Sequence, residues 1–70
     1  MKSDVVLGII ALECRDAGFA HLQTVEWRYG RRCSALLTDL NRRGLLRWGR
    51  LPGRVRLSDL GHARAAELAV

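Results

Sequence analysis

Hydrophobic residues recur along this chain at two spacings, one helical and one alternating, and the order in which the spacings change predicts its elements. Val5, Val6, Ile9, Ile10 and Leu12, with Glu13, predict a first helix that begins after a cap at Ser3 or Asp4 and ends near Gly18. That helix is apolar on more than one face, a width that suits burial against both its own core and a partner. Phe19 to His21 form a connector, after which Leu22, Val25, Glu26 and Tyr29 give a short second helix stopped by Gly30. The cleanest pattern follows: Cys33, Leu36, Leu37 and Leu40 stand at i, i+3, i+4 and i+7 of a third helix over 31–43, ended by a left-handed cap at Gly44. Its opposite face carries Arg31, Arg32, Ser34, Ala35, Thr38, Asp39, Asn41 and Arg42.

Leu45 to Trp48 and Arg54 to Leu57 flank Gly49-Arg50-Leu51-Pro52-Gly53, and Arg54-Val55-Arg56-Leu57 alternates strictly. This predicts a β-hairpin with Val55 and Leu57 inward and Arg54 and Arg56 toward solvent or a ligand. Ser58 is the expected cap of a last helix containing Leu60, Ala63, Ala66 and Leu68, in which Gly61 and the alanines let another backbone approach closely. That helix is expected to pack on the first. The fold class is α+β, mainly α, with one domain over 1–70.

A chain of 70 residues buries only about 60% of its unfolded surface, so association with a second copy through the first and last helices is expected. Too little space remains in one protomer for an effector pocket, and a site of that kind is expected at a dimer interface. No apolar run approaches the roughly 20 residues that cross a bilayer. The apolar stretch Val5 to Leu12 is followed at once by Glu13 and Asp16 and reads as a buried helix, not a cleaved leader. Cys14 and Cys33 have no paired His or Cys to complete a zinc set, and no cofactor is indicated; a reducing cytoplasm suits two free thiols.

Charge changes the picture more than composition does. The net charge is +5, yet residues 28–56 carry Arg28, Arg31, Arg32, Arg42, Arg43, Arg47, Arg50, Arg54 and Arg56 against Asp39 alone, while the flanking segments are net negative. A field concentrated in this way attracts polyanions, and arginine offers the planar fork that suits phosphates and guanine edges. Coincidence of the arginines with one helix and one hairpin argues against a merely solubilising face.

The stretch Leu36-Leu37-Thr38-Asp39-Leu40-Asn41-Arg42-Arg43-Gly44-Leu45-Leu46 looks like a recognition helix running into a wing strand, and Arg-Val-Arg-Leu-Ser-Asp-Leu-Gly at 54–61 looks like a wing exit. Together they resemble the winged helix-turn-helix repressors of the MarR and PadR type over residues 22–68. The resemblance implies three helices, a two-stranded wing at 45–57 and a C-terminal helix, in a small bacterial or phage transcriptional regulator that binds duplex DNA as a homodimer, nucleoid-associated in the cytoplasm. It implies that Arg31, Arg32, Ser34, Ala35 and Thr38 enter the major groove and that Arg50 and Arg54 touch phosphate or minor groove at the wing tip. Arg42, Arg47 and Arg56 complete the candidate DNA-binding set.

Basic residues in the first turn of a helix from Arg31 lie beside the positive end of its dipole, where phosphate is favoured. About five arginines on phosphates give a log–log salt slope near −4 to −5. The alternative is a protein interaction module docking through Ile9 and Ile10, and a third possibility is an RNA-binding wing. Nothing reads as catalytic: His21 and His62 suit surface or capping positions, Glu13 and Asp16 a solvated helix face, and Cys33 a small core residue. Trp27 is expected to pack where the second and third helices meet, and Trp48 to cover the core.

Overall fold

The computed structural model describes residues 2–69. Among them the order is α1 (Lys2–Ala17), β1 (Ala20–His21), α2 (Leu22–Tyr29), α3 (Ser34–Arg42), β2 (Leu46–Trp48), β3 (Arg54–Leu57) and α4 (Asp59–Leu68), an α+β arrangement that is mainly helical. None of these helices is long and apolar enough to cross a membrane. The predicted boundaries of α2, the hairpin and α4 hold to within a residue or two.

The core gathers Val6, Leu7 and Ile10 of α1, Ala20, Val25, Cys33, Leu37 and Leu40, with Leu45, Leu46, Val55 and Leu57 from the hairpin side. Leu40 is fully enclosed, and truncation of such a leucine costs about 2–5 kcal/mol. Ile10 belongs to this core with no exposed surface, so it cannot meet a partner as expected. On α1 the outward apolar side chains are instead Val5 and Leu12. The helix also starts earlier than the cap predicted at Ser3 or Asp4, because Asp4 turns toward Arg64 of α4 at 3.4 Å and serves as an ion-pair partner within the first turn. Glu13 likewise pairs with Arg28 of α2 and is not a merely solvated acid.

Three strands form the sheet where alternation predicted two, in the antiparallel order β1-β3-β2. The added strand pairs Ala20 with Val55 and His21 with Arg54; two residues are too few to show a period, which is why the segment reads as a connector in sequence. His21 does cap α2, its Nδ1 accepting from the Gln23 N–H.

Two joints position everything that follows. Gly30 and Gly44 both take positive φ, 83° and 73°, ending α2 and turning the chain out of α3 at little steric cost. Ser58 caps α4 by accepting from the Gly61 N–H and donates to the Gly44 carbonyl, so the start of α4 is tied to the exit of α3. Gly61 then sits so close to Leu45 that an added Cβ would lie 2.0 Å from its carbonyl oxygen, the close approach expected from the sequence.

Candidate nucleic-acid interface

The third helix is shorter than predicted. It spans Ser34–Arg42 with Cys33 at the N-cap, so Arg31 and Arg32 lie in the turn after Gly30 and not in the first helical turn. The reason lies in Glu26: its Oε2 accepts from the Cys33 N–H at 2.9 Å, while Cys33 itself is 1% exposed. Burying the cysteine and bonding its amide to a side chain of α2 hold residues 31–33 out of the helix. A carboxylate also occupies the positive end of the α3 dipole, so that end is not the open phosphate site expected.

From this frame α3 turns Leu37 and Leu40 inward and presents Ser34, Ala35, Thr38, Asn41 and Arg42 to solvent, with Arg31 and Arg32 exposed just before it. Thr38 Oγ1 donates to the Ser34 carbonyl at 2.9 Å, which leaves its lone pairs directed outward. Arg43 spends its charge on Asp39 at 3.6 Å.

The hairpin divides the remaining arginines. Because Val55 and Leu57 are buried, the alternating Arg54 and Arg56 project from the other face of the sheet. Arg47 pairs directly with Arg56 and shares that face. Trp48, opposite Val55, lies on the α3 side, its Nε1 donating to Asn41 Oδ1 at 3.0 Å. Strand alternation thus separates Arg47, Arg54 and Arg56 from the α3 group, and the ten candidate positions do not form one surface. Arg50 stands at the exposed hairpin turn between them, where the Gly49 N–H donates to the Arg54 carbonyl.

On the outer face of the sheet, the Arg54 guanidinium lies 4.1 Å from the centroid of the Phe19 ring. A groove of about 1000 Å³ opens there, lined by Phe19, Trp48, Leu51, Asp59 and His62 as well as the arginines. One protomer therefore does have room for a small molecule, contrary to the expectation from its length. None of Arg31, Arg32, Arg42, Arg47, Arg50, Arg54 and Arg56 is in an ion pair among the described residues.

A second groove, of about 490 Å³, runs between α1 and α4 and is lined by Gly8, Ala11, Leu12, Ala65, Ala66 and Leu68 among others. Trp27 is 80% exposed on α2, and the tryptophan does not pack where the second and third helices meet as expected. Trp48 is also half exposed and only partly covers the core. Burial pushes both thiols up from their ordinary range, for Cys33 with help from Glu26, and for Cys14 against a backbone hydrogen bond at Leu57 and the nearby Arg56 charge. Neutral thiols follow, which disfavours thiolate chemistry. Among the described residues no three His, Cys, Asp or Glu side chains are placed to hold a metal.

The chain matches no family model, no curated protein and no solved structure.

Proposed function

We propose that this chain is a winged helix-turn-helix domain that binds duplex DNA, with α3 in the major groove and the hairpin as its wing. The observation that carries this reading is the outward face of α3: Ser34, Ala35, Thr38 and Arg42 exposed beside Asn41, whose Oδ1 accepts from Trp48, with Arg31 and Arg32 just before the helix. These three arginines have no intramolecular carboxylate to satisfy them among the described residues. A helix of this width enters the major groove, where short polar side chains reach base edges and flanking arginines fix its position on phosphates.

In this arrangement Arg31 and Arg32 lead into the groove from the turn, Arg42 holds the far end, and Arg50 reaches a phosphate or the minor groove from the hairpin tip. The duplex contacts are then about four, and the log–log salt slope is near −3.6, shallower than five or more arginines would give. Arg47, Arg54 and Arg56 stand outside this footprint. The protein acts as a small transcriptional regulator, and a second copy docks on the apolar groove between α1 and α4, where Leu12 is 56% exposed. Leu12→Asp yields a monomer by mass in solution and weakens DNA binding by removing the second half-site.

The test is a titration into random-sequence duplex DNA, with Arg31→Ala/Arg32→Ala as the comparison. Raising salt from about 50 to about 200 mM lowers affinity roughly 100-fold for the unaltered chain and about 10-fold for the double variant. A folded chain that fails to bind duplex at low salt would sink the reading. Exposed Trp27 favours the runner-up, a module that docks on another protein, since an isolated exposed tryptophan suits an interface anchor. Trp27→Ala then abolishes function while the arginine variants retain it.

A further inference from the structure

Apart from Arg50 at the turn, the groove on the outer face of the sheet lies outside the proposed duplex footprint, and it gathers four arginines that are in no ion pair among the described residues. Arg47 and Arg56 are directly paired across β2 and β3, which places their Cα atoms about 5 Å apart with both side chains on the same face. Like charges in that relation repel. Neither is relieved by an ion pair among the described residues.

Arg54 lies one alternation along the same strand, its guanidinium carbon over the Phe19 ring at 4.1 Å from the centroid. Stacking fixes the plane of a guanidinium while leaving its N–H edges free to donate. Arg50 borders the same groove from the turn. Asp59 also lines the groove, one negative charge against four arginines, and His62 adds a further donor.

The geometry points to a binding site for a small phosphorylated ligand in this groove, with its phosphate oxygens clamped between Arg47 and Arg56 and a second anionic or planar part beside Arg54 and Phe19. Two arginines paired across the strands on one face can each offer a bidentate fork to the tetrahedral oxygens of a phosphate. The volume of about 1000 Å³ accommodates a molecule of nucleotide size. A duplex is the less suitable source of phosphate. Arg47, Arg54 and Arg56 alternate away from the sheet face on which Trp48 bonds to Asn41 of α3.

Pyrophosphate is the probe, titrated into the full chain at physiological salt while backbone amide shifts of residues 47–57 are followed by NMR. Saturable binding with Kd of about 1 mM or tighter is expected. Arg47→Gln/Arg56→Gln weakens it about tenfold or more, Arg47→Lys/Arg56→Lys weakens it less, and Arg31→Gln/Arg32→Gln leaves it unchanged. Retained amide dispersion in each variant confirms that it is folded. Absence of saturation, or equal loss in the sheet and turn variants, overturns the site as general attraction to a basic chain. A random-sequence duplex is the second arm: if it displaces pyrophosphate, and if the sheet variant loses duplex affinity as steeply as the turn variant, the groove belongs to the DNA footprint and the small-ligand proposal falls. Binding of pyrophosphate does not depend on duplex binding, so failure of either reading leaves the other measurable.

Discussion

The two arginine-bearing surfaces are built in different ways. Around α3 the basic side chains stand on a turn and a helix end, spread along a convex face among small polar residues, Ser34, Ala35 and Thr38. On the far side of the sheet, Arg47, Arg54 and Arg56 are concentrated by strand pairing into a concavity with an aromatic floor. A convex polar ridge suits a groove in an extended polymer, and a concave cluster suits a compact anion. The contrast teaches that strand alternation can divide one run of positive charge in sequence between two surfaces.

The most severe way to break the comparison is to remove the joint from which the two surfaces diverge. Gly61→Ala drives a methyl into the Leu45 carbonyl, which a Cβ would meet at 2.0 Å, and it costs about 3 kcal/mol because the contact is with backbone and cannot swing away. Thermal unfolding reads this as a midpoint lowered by more than about 10 °C, with both binding activities lost together. Next in size is the selective loss, in which Arg31→Ala/Arg32→Ala reduces duplex affinity and halves its salt slope while pyrophosphate binding persists.

A smaller effect separates the surfaces mechanically. Trp48→Phe removes the donor that links β2 to Asn41 of α3 and releases the Asn41 side chain, and the lost bond costs about 1 kcal/mol in denaturant unfolding. Duplex affinity falls more than pyrophosphate affinity, since only the former needs helix and hairpin held in one relative orientation. The smallest expected change has the opposite sign. Arg56→Glu replaces the cross-strand repulsion against Arg47 by attraction and stabilises the fold by about 0.5 kcal/mol, while abolishing pyrophosphate binding. An unchanged pyrophosphate affinity in that variant would show that the paired arginines are not the anion clamp.

Much of the scaffold is legible in the sequence. Leu37 and Leu40 at helical spacing, Val55 and Leu57 in alternation, Ser58 as a cap and Gly61 as a point of close approach all stand where their patterns place them. Each of these signals is local: it depends on a period, a cap or a missing side chain within a few residues. The concentration of arginines over residues 28–56 was legible, but their arrangement in space was not. Arg31 and Arg32 continue the helical pattern of α3 in sequence, and only the bond from the Cys33 amide to Glu26, seven residues earlier, takes them out of it. Trp27 gives no local sign that it faces solvent, because α2 is too short for its apolar stripe to be told from its exposed side.

By itself the sequence determined the succession of elements, the glycines that end them and the concentration of positive charge in one segment, since these follow from side-chain spacing, backbone freedom and residue identity. Only the tertiary structure decided which arginines share a surface. Strand alternation sends Arg47, Arg54 and Arg56 to one side of the sheet, whereas the α3 contact that holds Trp48 to Asn41 marks the other. Pairing register and the placement of α1, α3 and α4 about the sheet are long-range contacts, and no property of a single residue carries them.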